Sequence, residues 1–331
     1  MAPLPILLIA AFTLALTGCA VTGDRASGAA ALADELPRHA VVLLGEVHDN
    51  PHHHRLRHEA LRIAVERGYR PALLMEQFDR ERQPDIERAR REQPGDAGYL
   101  IALAAPAPTR PGVSGWHWPF YKPFVELALK HDLPIIAANA SRADLMRVAK
   151  DGFAALFSPD ELQRLQLDQP VPSGINSAQE REIASGHCNA LPPAALAPMA
   201  RAQIARDAFM ALKIDERKAG GAILLAGNSH VRRDIGVPRW LRPDSTVYVV
   251  GYLEAPADGA TAANRARYDH AVITPAAERP DPCAAFLKSR TTSGATHGVR
   301  IINRSEQRDY GQRAFVFADT DGIRIGAGQR N

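Results

Sequence analysis

At 331 residues, 46% hydrophobic and 23% charged, the chain carries enough apolar side chains to bury a core of domain size, which excludes global disorder. A net charge of +3, from 40 Lys and Arg against 37 Asp and Glu, is too small and too scattered to mark a nucleic-acid surface. No GxGxxG, GxxxxGK(S/T) or GxSxG occurs, so dinucleotide, P-loop nucleotide and α/β-hydrolase serine chemistry have no local support.

Taken in chain order, the first feature is the apolar run Pro5–Gly18, too short to span a bilayer and followed at once by Cys19. Leu16-Thr17-Gly18-Cys19 fits the bacterial lipobox, so residues 1–18 read as a lipoprotein signal peptide and Cys19 as the lipidated residue. Acylation there would anchor the chain in a membrane. Ala20 after the cysteine points to the outer membrane, facing the periplasm. The segment MAPLP lacks Lys and Arg, which departs from the usual basic start. An ordinary secretory peptide, with Cys19 incidental, is the alternative. Residues 19–37, rich in Ala, Gly and Asp, read as a tether.

Four bulky apolar runs follow: Ala40–His48, Pro71–Phe78, Leu133–Asn139 and Gly221–His230. Short apolar stretches without alternation suit strands buried on both faces. Helical patterns lie between them. Asn50-Pro51 opens a helix that runs to Arg67, with Gly68 as its stop. Asp79–Gln93 is a charged helix, and residues 104–114 are Pro-rich and irregular. The aromatic cluster Trp116–Tyr121 opens a helix to Lys130, Ser141 caps another, and Ser158–Glu161 is a capping box. Residues 168–177 read as a loop and Ala194–Lys218 as a long helix. Thr246–Tyr252 and Tyr268–Ile273 are a fifth and a sixth strand. The alternation predicts one α/β domain over residues 38–288, a doubly wound, mostly parallel sheet flanked by helices. Residues 289–331 form a polar tail, with a small hairpin of Arg313–Phe317 on Gly322–Ile325.

Parallel strands deliver their C-terminal residues to one edge, where open α/β sheets bind ligands. Here these are Glu46, His48, Glu76, Asn139, Asn228 and His230, with Gly45-x-x-His48 and Gly227-x-x-His230 repeating one pattern. Imidazoles beside carboxylates can ligate a divalent metal or activate water. Glu46, His48, Glu76 and His230 are therefore the catalytic candidates, and His48, His230 and Glu76 the metal ligands. The bland reading has these residues capping helices and satisfying loop backbone. His52-His53-His54 with His58 reads as a polar helix face, since Arg55, Arg57 and Arg62 among them would repel a cation. Cys188 and Cys283 can pair in an oxidising compartment, or Cys188 can ligate metal beside His187.

At LLGEVHDN, LLMEQFDR with Gln83, Trp118 and Tyr121, IIAAN, GHC with LPP, RAQIARDAFMA, LLAGNSHVRRDIGVP and DPC, the chain resembles the ChaN-like family of haem-binding bacterial lipoproteins. That family is part of the Tiki/erythromycin-esterase superfamily, and the resemblance spans residues 40–285. It implies haem binding linked to iron uptake, with a homodimer sandwiching cofactors as one arrangement. Related branches are hydrolases built on the GxxH–Glu–GxxH arrangement, which Glu46, His48, Glu76 and His230 preserve. No local motif fixes a haem ligand. Tyr121, His52, His187 and Arg206 stand as the candidate cofactor contacts, Tyr121 or a histidine on iron and Arg206 on a carboxylate.

Overall fold

The computed structural model describes residues 21–106, 115–255, 261–281 and 283–284. Cys19 and the segments expected to be a signal peptide and a C-terminal hairpin fall outside the described residues.

Six strands form one sheet in the order β3-β2-β4-β1-β5-β6: β1 (Val41–Leu44), β2 (Ala72–Asp79), β3 (Ile135–Asn139), β4 (Ala222–Leu225), β5 (Val247–Ala255) and β6 (His270–Pro275). Every pairing is parallel. All four residues of β1 and of β4 are buried, as their unbroken apolar sequences require. Successive side chains divide between two cores. Val42 and Leu44 pack with α2 (Pro51–Glu66), α3 (Gln83–Glu92), α4 (Ala97–Ala104) and α5 (Trp118–Lys130). Val41 and Leu43 pack with α6 (Arg142–Asp151), α7 (Pro159–Leu165), α8 (Ser173–Gly186) and α9 (Pro193–Asp215). The chain lays β1, β2 and β3 outward with helices on the first face. It then returns through α6–α9 on the second face to insert β4 between β2 and β1. The winding reverses at β1, so a crevice opens at the C-terminal ends of β1, β4 and β2.

Two elements correct the sequence reading and a third adds to it. Most of the expected tether is a helix, α1 (Val21–Glu35), followed by a turn at Leu36–Arg38. Ala29, Leu32, Ala33 and Leu36 are buried, at the i, i+3, i+4, i+7 spacing of an amphipathic stripe. Residues 168–177 are not all loop, because α8 begins at Ser173 directly after Pro172 and buries Ile175, Gln179 and Ile183. Residues 97–104 form α4, capped by Asp96, whose carboxylate accepts from the Tyr99 amide at 2.9 Å. Smaller differences are in the bounds: α9 ends at Asp215, and β5 and β6 each run two to three residues further than predicted. Beyond β5, Ala262–Arg265 makes a short helical turn. Gln83 closes the free side of β3, its amide donating to the Ile135 carbonyl (3.2 Å) and its oxygen accepting from the Ala137 amide (2.8 Å). That side chain stands in for a neighbouring strand on an edge that would otherwise be bare.

Candidate functional site

The β1–β4 ladder continues past the strands, with the Asn228 amide donating to the Glu46 carbonyl at 2.9 Å. The first GxxH corner is shaped by close approach: a Cβ on Gly45 would lie 2.3 Å from the Asn228 side-chain oxygen. Beyond the second corner, a Cβ on Gly236 would meet the His230 carbonyl at 2.2 Å. Glycine is required at both for packing, whatever the chemistry.

Glu46 is in phase with Val42 and Leu44, so it points to the α2/α5 face, and it is fully buried. Its Oε1 accepts from the Tyr121 hydroxyl at 2.6 Å and lies 2.8 Å from His48 Nδ1. Its Oε2 is ion-paired with Arg57 and lies 3.1 Å from His54 Nδ1. Arg57 is itself fully buried, donates to the Leu44 carbonyl (3.0 Å) and lies over the Phe124 ring. Burial lowers its pKa only to about 10, so it stays charged opposite the carboxylate.

The histidine run of α2 divides by role. Burial lowers His53 to about 3 and His54 to about 4, so both rings are neutral. His54 Nε2 donates to the His48 carbonyl (2.9 Å), and its Nδ1 accepts from Arg57 (3.2 Å). His53 Nδ1 accepts from the Val47 amide (2.9 Å), and its Nε2 donates to the Thr274 hydroxyl (2.8 Å). The two rings therefore pin the loop that carries His48. The His48 side chain is about 13% exposed and meets Trp116 edge-on, with centroids 4.7 Å apart. With Nδ1 held by the Glu46 carboxylate, the ring orientation is fixed and Nε2 is the atom directed away from Glu46.

Glu76 is in phase with Leu74 and faces the other core, towards α9. Its Oε2 accepts from the Gly227 amide at 2.9 Å, and its Oε1 lies 3.6 Å from His230 Nε2 and 3.9 Å from Arg206. His230 Nδ1 is 2.6 Å from Asp207 Oδ1. Asp207 also accepts from the Gln179 amide (3.3 Å), which bridges on to the Ile235 carbonyl (3.3 Å). Burial pushes the Asp207 carboxyl up to about 6, against the pull of His230 and Arg206. Around this group lie Asp79, raised by burial, with Asn139 donating to it at 2.7 Å. The Asn139 and Gln203 side-chain oxygens and both amide atoms of Gln77 are buried without a hydrogen-bond partner. Polar atoms of that kind at a sheet edge suit a polar ligand or ordered water.

Residues 32–241 match the family described as haem-binding uptake proteins of the Tiki superfamily, ChaN. The chain belongs to the ChaN family. Among solved structures, ChaN of Campylobacter jejuni, described with cofacial haem, is similar in fold. The TM-score is 0.56 at 20% identity, over 69% of this chain and 87% of that one. The erythromycin esterase EreC gives a TM-score of 0.38 at 13% identity, over 70% and 75%. No curated protein matches the chain.

Within this ChaN-family fold the expected site residues separate into two groups. Glu46 and His48 meet on one face of the sheet edge, Glu76 and His230 on the other. The proposed metal set is not assembled: His230 and Glu76 approach each other, while His48 is bound to Glu46 on the opposite face. Among the described residues no three His, Cys, Asp or Glu side chains are grouped to hold a metal ion. Tyr121 is fully buried with its hydroxyl committed to Glu46, so it orients the carboxylate instead of facing a cofactor. His52 lines a separate cavity of about 220 Å³ between α1, α2 and β6. His187 is buried at the C-terminal end of α8, where its Nδ1 donates to the Ile183 carbonyl at 2.7 Å. Arg206 is buried and faces Glu76. Cys188 is joined to Cys283 in a disulfide, which removes it as a metal ligand.

Two residues that organise the site carried no sequence signal of their role. Arg57 sits in a run of helical arginines that reads as solvated surface, yet α5 covers it. Asp207 lies beside Arg206 on the polar side of α9, and only the return of the His230 corner identifies it as a partner.

Proposed function

We propose that the chain binds haem at the C-terminal edge of the sheet, against the wall formed by His48 and Trp116. The observation that carries the reading is the hydrogen bond that Nδ1 of His48 donates to the Glu46 carboxylate, at 2.8 Å, on a ring that reaches the surface. A carboxylate-oriented imidazole is a donor type that haem iron accepts, and Nε2 of His48 would hold the metal. The donor set fits the cofactor in a second respect. Trp116 beside it, and Phe120 stacked on His54, supply flat apolar surface for a planar macrocycle. When bound, haem would supply the iron chemistry, and the protein's part is to hold His48 in orientation. A homodimer would place two such faces together with their haems between them, an arrangement compatible with the cofacial haem described for the Campylobacter ChaN. Lipidation at Cys19 would anchor the chain in the outer membrane, facing the periplasm, for a role in iron acquisition.

The test is a haemin titration followed by absorbance, with the full chain carrying Cys19→Ser in detergent. A saturable Soret shift is expected, lost in His48→Ala and kept in His52→Ala. A shift that survives His48→Ala unchanged overturns the assignment of the ligand. Its absence from the parent chain overturns the function.

A second reading rests on a separate observation, the Asp207–His230 pair at 2.6 Å with Nε2 turned toward Glu76. A carboxylate-oriented imidazole beside a second carboxylate is equipped to activate water for hydrolysis. Cleavage of an activated ester that disappears in both His230→Ala and Asp207→Asn would support it. Ester cleavage indifferent to both would sink it.

A further inference from the structure

After β6 the chain does not leave the fold but crosses the sheet edge as a strap. The strap is held at Ala276 and Ala277, at Arg279 and at Cys283. At the start, the Ala276 amide donates to the Ala255 carbonyl (3.2 Å) and the Ala277 amide to Glu254 (2.9 Å). In the middle, Arg279 grips both oxygens of Asp49 (2.7 and 2.8 Å) and both oxygens of Glu254 (2.7 and 2.9 Å). At the end, Cys283 is bonded to Cys188, just past α8 on the opposite face of the sheet, with Cα atoms 5.5 Å apart. The middle grip matters because Asp49 follows His48 directly. Asn50, next along, donates to Glu254 (2.7 Å) and to the Pro275 carbonyl (2.9 Å).

We propose that the Cys188–Cys283 disulfide is a redox latch on the corner that carries His48. Side chains of Asp49 and Arg279 are about 42% and 29% exposed, and ion pairs so exposed are weak when their partners are free to drift apart. With both ends of the strap fixed, the guanidinium is presented to Asp49 at high effective concentration. Opening the disulfide leaves the strap attached at one end only, and the corner loosens. Both cysteines are only part-buried. Opening requires an external dithiol. One of its thiolates attacks a sulfur of the bond, and its second thiol resolves the mixed disulfide. Two electrons and two protons pass to Cys188 and Cys283, which become thiols, while the donor leaves as a disulfide. A loosened corner would release haem held by His48 more quickly; that consequence rests on the haem-binding reading, but the loosening does not.

The two parts are therefore measured separately, in the full chain carrying Cys19→Ser, so that Cys188 and Cys283 are its only sulfurs able to pair. Amide hydrogen exchange is compared between the disulfide form and protein reduced, alkylated and freed of reductant. Exchange in residues 47–50 and 276–281 is expected to rise roughly three-fold or more, with β1 unchanged. Arg279→Gln, with its disulfide intact, is expected to reproduce the rise at 47–50, which separates the latch from general unfolding. Unchanged exchange at 47–50 after reduction overturns the proposal. Haemin transfer to apomyoglobin is then expected to quicken roughly three-fold on reduction. Faster exchange without faster transfer overturns the latch as a control of binding. A chain that takes up no haemin at all overturns the proposed function and leaves the latch to be judged by exchange.

Discussion

Glu46 shows what one buried carboxylate demands of its neighbours. Arg57 and His54 from one turn of α2, Tyr121 from α5 and His48 from the loop after β1 all converge on it. Removing its charge strands Arg57 in the core, so Glu46→Gln is expected to destabilise by roughly 3 kcal/mol or more, against about 1 kcal/mol for Tyr121→Phe. Urea unfolding of the two variants checks the order, and equal losses would mean that the hydroxyl, not the ion pair, organises the cluster. His53 gives a prediction in pH. Its ring is neutral in the fold, with its pKa lowered to about 3 from 6.5, so the unfolded chain binds the extra proton. Stability is therefore intact above about 6.5 and drains away as pH falls towards 3. In that window His53→Gln should flatten the stability profile by one proton, about 1.4 kcal/mol per pH unit. An unaltered slope would show that the ring is protonated in the native state.

These residues also mark where the sequence stops being legible. Glu46, His48, Glu76 and His230 could be read because each ends an apolar run, and the strand direction then fixes their edge. Their division between two faces follows from period-two alternation, but β1 and β2 are in phase only once their register through β4 is known. Arg57 and Asp207 could not be read, because a charge on a helix declares itself buried only through what packs over it.

At the level of elements, strands and capped helices followed from local chemistry: Asn50, Ser141 and Ser158 each cap where their side chains permit. What escaped were elements whose composition imitates linker. Alanine and glycine hid the stripe of α1, and prolines hid the start of α8. The packing of α1 is testable. Leu32 is about 6% exposed against the first-face core, so Leu32→Ala should cost about 2–3 kcal/mol, measured by denaturant unfolding. A free tether would give no loss. The outcome also bears on reach, since a docked α1 leaves little slack between residue 21 and the domain, and the domain would then sit close to whatever holds the N-terminus.

At the level of the whole molecule, the sheet edge supports two polar clusters, one on each face, with β4 between them. Gly227 is the physical link: its amide is bound by Glu76, and it lies opposite Glu46 in the ladder. Haem carriage by His48 and hydrolysis by His230 therefore draw on different cores, and neither reading needs the other's residues. The test of that separation is a double-mutant cycle. Glu46 is held by Arg57, Tyr121, His48 and His54, and Asp207 by His230 and Gln179, on opposite faces of the sheet, so the stability effects of Glu46→Gln and Asp207→Asn should sum to within about 0.5 kcal/mol. The functional readouts should part in the same way, with Asp207→Asn leaving the haemin Soret band in place and His48→Ala leaving any ester cleavage in place. A coupling well above that value, or a Soret band that moves with Asp207, would show that β4 transmits between the faces. The two clusters would then be halves of one site, and the choice between carrier and hydrolase would have to be put to both at once.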